Sequence, residues 1–196
     1  MEQETDGQLV KKYLKGDENS LRILYERHIP SVYNFISRIS PSETDVDDIV
    51  QDAFVKAWKN LKKFNPELSF KTWLFTIAKN VLLDKLKKNR TIIFSLSDPE
   101  DEHEPIALED PRPLADAVLN EKDSDARVDE LLDKLSAAER ATVVMHVMEG
   151  LTFREIGEIL GQPMETVKTR YRRAISRLAK RLSEEKTIVF TQNIKN

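Results

Sequence analysis

The sequence predicts an all-α protein: two small helical domains joined by a flexible acidic linker, the second containing a helix-turn-helix. Three observations predict it. Apolar residues recur at helical spacing over most of the chain, and two-residue alternation is scarce. Only 5 of 196 residues are glycine, and 8 are proline. The periodicity collapses after Arg90, where residues 95–124 hold four prolines and dense acid, then resumes near Asp125. The expected boundaries are residues 1–90, a linker over 91–125, a second domain over 126–182 and a tail over 183–196.

In the first half, Asp17 is placed to cap a helix carrying Leu21, Leu24, Tyr25 and Ile29, which Pro30 is expected to interrupt. Val32, Phe35, Ile36 and Ile39 carry the pattern on to Pro41. Thr44 and Asp47 resemble a capping box ahead of a long stripe: Val46, Ile49, Val50, Ala53, Phe54, Ala57, Trp58 and Leu61. After the turn "FNPELS", Ser69 begins a helix with Phe70, Trp73, Leu74, Ile77, Ala78, Val81, Leu82 and Leu86 at i, i+3 and i+4 intervals.

In the second half, Val128, Leu131, Leu132 and Leu135 share a face. Ser136 with Glu139, and Thr152 with Glu155, have capping-box spacing, and Gly150 sits where a helix-terminating glycine belongs. A short amphipathic helix then leads through "GQP" into the basic segment "METVKTRYRRAISRLAKRL". Two short helices with a tight turn, the second basic, describe a helix-turn-helix unit. Its Val167, Tyr171 and Leu178 point inward, leaving Lys168, Thr169, Arg172 and Arg173 outward near the helix start, where base edges are read. Arg177, Lys180 and Arg181 lie further along, at positions suited to phosphates. Pro163 is compatible with a first helical position.

The formal charge of −3 hides segregation. Residues 56–90 hold ten Lys/Arg against two acids, 91–126 eleven acids against two bases, and 43–52 five acids and no base. Asp45, Asp48 and Asp52 fall on one helical face, a costly stacking of like charge that an external basic partner would offset. Other classes find little support. There is no cysteine, so no disulfide or thiolate metal site, and the three histidines (His28, His103, His146) lack metal-ligand spacing. No glycine-rich phosphate loop or nucleophile elbow occurs. The sequence shows no membrane-length apolar run and no signal-peptide pattern, so a soluble, intracellular protein without cofactors or enzymatic activity is expected.

Over about residues 8–90 and 126–182 the chain resembles bacterial sigma factors of the sigma-70 family, in the small two-domain extracytoplasmic-function group. The resemblance rests on "LYERHIPSVYNFISRI", "DVDDIVQDAFVKAWKNLKKF" and "SFKTWLFTIAKNVLLDKLKKNR" for the second conserved region. For the fourth it rests on "LDKLSAAERATVVMHVMEGLTFREIGEILGQPMETVKTRYRRAISRL". It implies that Asp48, Gln51 and Asp52, with Asp47 beside them, dock on the β′ clamp helices of core RNA polymerase. The loop "FNPELSF" and the helix after it would hold the −10 promoter element as melted single strand, with a flipped base in the loop. The matching positions are Phe64, Asn65, Phe70, Lys71, Trp73, Lys79 and Asn80. Lys85, Lys87, Lys88 and Arg90 would track upstream phosphates, and the helix-turn-helix would read the −35 element as duplex through Lys168, Thr169, Arg172, Arg173 and Arg177. The polymerase β subunit, promoter DNA and an anti-sigma protein are further partners the resemblance implies, with a cytoplasmic location on the nucleoid when active. The sequence departs from the family at Gln162 and Pro163, where an apolar and a capping polar residue are usual. The competing reading is a conventional helix-turn-helix regulator whose first 90 residues form an effector or dimerisation domain.

Overall fold

A computed structural model describes residues 4–40, 45–88 and 125–193. Among them all regular structure is helical, as expected of the fold class. The chain divides into two compact units, Met1–Phe94 with Arg154–Gln162, and Ser95–Phe153 with Pro163–Asn196. The expected linker falls largely outside the described residues.

The first unit opens with a helix that periodicity did not reveal, α1 (Asp6–Tyr13). Thr5 caps it: the Gln8 amide donates to Thr5 Oγ1 at 3.3 Å, and the Thr5 amide donates to the Gln8 side chain at 2.8 Å. Helix α2 (Glu18–Ile39) starts where Asp17 takes the Asn19 amide at 3.1 Å. It does not stop at Pro30. The ring leaves the Glu26 carbonyl without its helical donor, but both residues are exposed, so water can take that bond. Leu24, Val32, Phe35, Ile36 and Ile39 are buried on either side of Pro30 and hold both halves against the core.

Helix α3 (Val46–Asn60) buries the expected stripe of Val46, Ile49, Val50, Ala53, Phe54 and Ala57. Asp45 occupies its N-cap position without a side-chain cap bond, and Thr44 lies outside the described residues. A 3₁₀ turn, Leu61–Lys63, leads into the 64–69 loop. The Thr72 amide then donates to Ser69 Oγ at 3.2 Å, starting α4 (Phe70–Lys88). Leu74, Phe75, Ala78, Val81, Leu82 and Leu86 are the buried face of α4, and Phe75 packs on Phe35 of α2 with ring centroids 4.9 Å apart.

In the second unit, α5 (Asp125–Leu132) buries Leu131 and Leu132. Ser136 and Glu139 form the expected capping box at the start of α6 (Ala137–Val143), which runs on into a π-helical turn, Val144–Met148. Gly150 ends that run in the left-handed region, with φ 69°, as a terminating glycine should. Helix α7 (Phe153–Leu160) follows in sequence but from Arg154 on belongs to the first unit, a departure from the expected second domain over 126–182. Gly161, φ 70°, begins the turn into α8 (Met164–Asn193). The Pro163 carbonyl accepts the Val167 amide at 3.2 Å, so proline sits at the N-cap and Met164 is the first helical residue. Helix α8 continues to Asn193, through most of the stretch expected as a tail over 183–196.

Candidate nucleic-acid and polymerase interfaces

On α3, Asp47, Asp48, Gln51 and Asp52 are all exposed. The apolar stripe fixes this, because burying Val46, Ile49, Val50 and Ala53 turns the intervening polar positions outward. Asp47 and Asp48 lie in the first turn, where the helix dipole favours negative charge. Lys85 of α4 answers two carboxylates of this turn: its Nζ is 3.4 Å from Asp48 Oδ2 and 4.0 Å from Asp45 Oδ1. Lys85 was expected on the phosphate track and instead leans over the acidic face. Asp48 keeps 68% of its side chain exposed, so the pair leaves the face open to a larger basic partner.

The 64–69 loop is an aromatic box with a polar rim. Phe64 is only 5% exposed, with its ring 5.3 Å from Phe70 and 5.2 Å from Trp73. The aromatic expected at the loop entrance is therefore packed inward rather than presented to a base. Trp73 is half-buried in the same cluster, and Lys71 Nζ lies 5.5 Å from the Phe75 ring centroid, a cation–π arrangement. Asn65 is exposed, and its Oδ1 accepts the Glu67 amide at 3.1 Å in an Asx turn. Leu68, which the sequence did not single out, stands 65% exposed at the loop tip.

Along α4, Trp73, Asn80 and Lys87 recur at seven-residue spacing on one outward face, with Asn80 and Lys87 exposed. Lys79 departs from expectation. It is half-buried and donates to the Ile159 carbonyl at 2.7 Å, within the same compact unit, and burial pushes its ammonium pKa down. Thr72 Oγ1 likewise reaches Glu155 Oε1 at 3.2 Å.

On α8, Val167, Tyr171, Ala174, Ile175 and Leu178 are buried, and Arg172 is exposed. Lys168, Thr169 and Arg173 are partly exposed beside it, so the start of the helix presents the predicted group on one side. Lys168 Nζ is paired with Glu165 Oε1 at 2.7 Å, leaning over the first turn. Arg177 is placed differently from the expected phosphate contact. One guanidinium nitrogen donates to Glu139 Oε2 at 2.8 Å, and Glu139 is only 3% exposed, so Arg177 neutralises the acid of the α6 capping box. Arg170, which the sequence did not single out, is 1% exposed. The signal was there: 167, 170, 171, 174, 175 and 178 form one unbroken inward stripe.

Two histidines are occupied structurally. His146 Nδ1 donates to the Leu151 carbonyl at 2.8 Å, and its ring stacks on Phe153 at 4.1 Å and meets Tyr171 at 4.8 Å. Buried His28 shares Asp6 with Arg27. Among the described residues, no group of three or more His, Cys, Asp or Glu is placed to hold a metal, and no helix is long and apolar enough to cross a membrane.

Two stretches of the chain match known domain types. Residues 24–92 match the family model for Sigma-70 region 2, and residues 125–178 match that for Sigma-70, region 4. The ECF RNA polymerase sigma-E factor of Escherichia coli K12 is 31% identical over 177 residues, covering 88% of this chain and 92% of the relative. The chain belongs to the ECF sigma factors. The ECF RNA polymerase sigma factor SigW of Bacillus subtilis is 28% identical over 89% of this sigma factor and 95% of the relative. Among solved structures, CnrH in complex with the cytosolic domain of CnrY is 25% identical, with a TM-score of 0.64 over 91% of this chain and 97% of that one. This protein is thus an alternative sigma factor that directs transcription initiation, and a conventional regulator with an effector domain is not favoured.

Proposed function

We propose that this sigma factor docks on core RNA polymerase through the exposed acidic face of α3, with Asp47, Asp48, Gln51 and Asp52 meeting basic side chains of the β′ clamp helices. The single observation that carries this reading is the pairing of two surfaces in one unit. An exposed carboxylate face lies on α3, and an outward Trp73–Asn80–Lys87 row with the polar 64–69 loop lies on and before α4. Carboxylates repel DNA phosphates and attract basic protein, whereas amides, an aromatic edge and lysines suit an unpaired strand. The −10 element is held there as single strand, with Asn65 and Asn80 reading base edges and Trp73 and Lys71 flanking them. Arg172, Arg173, Thr169 and Lys168 read the −35 element as duplex from the major groove. RNA synthesis belongs to the polymerase, so the sigma factor contributes recognition and strand opening without catalysing a reaction itself. Its place is the cytoplasm, on the nucleoid when active. The sigma factor RpoE of Bartonella quintana is solved with the anti-sigma factor NepR, and by analogy an anti-sigma protein covers this chain when it is idle.

Charge reversal tests the docking face. Asp48→Lys with Asp52→Lys should weaken core binding at least about tenfold, the cost of placing like charges against a basic partner. The same variant should keep the wild-type melting temperature and far-ultraviolet circular dichroism. Wild-type core affinity would remove α3 as the docking helix.

A further inference from the structure

Helix α1 lies ahead of the stretch that matches Sigma-70 region 2, which begins at residue 24, yet it grips the 64–69 loop at two neighbouring points. Gly7 faces the backbone of Pro66, and a Cβ built on Gly7 would collide with the Pro66 carbonyl oxygen. The obstacle is main chain, with no flexible end to swing aside. Gly7 is not among the glycines with positive φ, so close approach and not backbone conformation requires glycine there. One turn on, Lys11 Nζ meets Glu67 Oε1 at 2.8 Å. Pro66 and Glu67 are the centre of a turn closed by the Leu68 amide on the Asn65 carbonyl at 3.0 Å, and Asn65 Oδ1 holds the Glu67 amide.

A second route reaches the far end of the loop. Asp6 accepts from His28 Nε2 at 2.8 Å and from Arg27, and the His28 ring packs 5.1 Å from Phe70, the residue just after the loop. Phe70 in turn abuts Phe64 and Trp73, at 5.3 and 5.6 Å. Helix α1 therefore fixes the middle of the loop directly and backs its downstream anchor through His28.

We propose that α1 is a positioning element for strand capture: Gly7 seats the Pro66 carbonyl and Lys11 steers Glu67, so that Asn65 and its neighbours meet the unpaired strand at a set height. This rests on reading the 64–69 loop as part of the −10 site. The geometry needed is fine, since misplacing recognition groups by about 1 Å can cost as much as a hundredfold.

The test uses the full-length protein with core polymerase on a promoter selected by run-off transcription. Strand opening is followed by permanganate reactivity, and core affinity is measured separately by competition. Gly7→Ala should lower opening about tenfold with core affinity within about twofold of wild type. Because that variant could loosen the fold, the exposed pair supplies a second arm. Lys11→Glu should lower opening about two- to fivefold, the range expected of a surface ion pair, and adding Glu67→Lys should restore it. A further arm, Asn65→Ala with Asn80→Ala, probes the site itself. If that double variant loses opening while Gly7→Ala and Lys11→Glu open like wild type, α1 does not position the loop and the site reading stands. If the double variant opens normally, the site reading fails and takes the proposal with it. Loss of core affinity and opening together in Gly7→Ala, with no rescue by the charge swap, would make α1 a general structural element and overturn the proposal.

Discussion

Arg172 and Arg177 sit five residues apart on one helix and are held differently. Arg172 is exposed on the predicted reading face, whereas Arg177 answers the buried carboxylate of Glu139. Arg172→Ala should weaken promoter binding by about 1–3 kcal/mol and relax preference at one base pair, leaving the melting temperature unchanged. Arg177→Ala should do the reverse, destabilising the protein by about 1–3 kcal/mol because Glu139 loses its charged donor, with sequence preference intact. Binding to a set of single-base promoter variants, beside thermal unfolding, separates them. The Asp6 carboxyl carries a pH dependence. Burial raises its pKa, but hydrogen bonds and charge from His28, then Arg27, outweigh that and hold it below the ordinary 3.8. A depressed folded pKa contributes stability that is present above the unfolded value and lost as pH falls through the folded one. Unfolding free energy should therefore drop below about pH 4, and Asp6→Asn should flatten part of that drop while lowering stability at pH 7.

At the scale of elements, cap chemistry and apolar spacing were legible and continuity was not. Asp17, Ser69 and the Ser136–Glu139 box start helices where their side chains can satisfy the first free amides, and each does so. Helix α1 escaped because it is eight residues long, contains Gly7 and buries only Leu9 and Val10, too short a stripe for periodicity. Pro30 misled because a proline signals local cost, and the buried residues flanking it decide whether that cost is met. Pro30→Ala, which restores the donor to the Glu26 carbonyl without a new clash at an exposed site, should stabilise α2 by up to about 3 kcal/mol. A chemical-denaturation midpoint no higher than wild type would show that the helix is already kinked to fit the ring. Of the candidate site, the outward polar positions followed from the inward stripes. Phe64, Lys79 and Arg177 did not, because ring packing across the loop turns Phe64 inward, and a backbone carbonyl and a buried acid reach Lys79 and Arg177 from residues distant in sequence.

Across the whole molecule, a net charge of −3 says little, since acidic stretches over 43–52 and 91–126 and basic stretches over 56–90 and 164–182 cancel in the sum. If each charged face meets the partner proposed for it, salt should weaken promoter binding steeply through the basic faces. On the proposed reading, this one chain gives core polymerase a two-part promoter specificity. Run-off transcription from a randomised promoter library with purified core polymerase measures it most directly. Defined start sites are expected downstream of two separated sequence blocks, with permanganate-reactive thymines confined to the block nearer the start. Core polymerase that starts at no defined site with this protein present, while the protein fails to bind core, would contradict it.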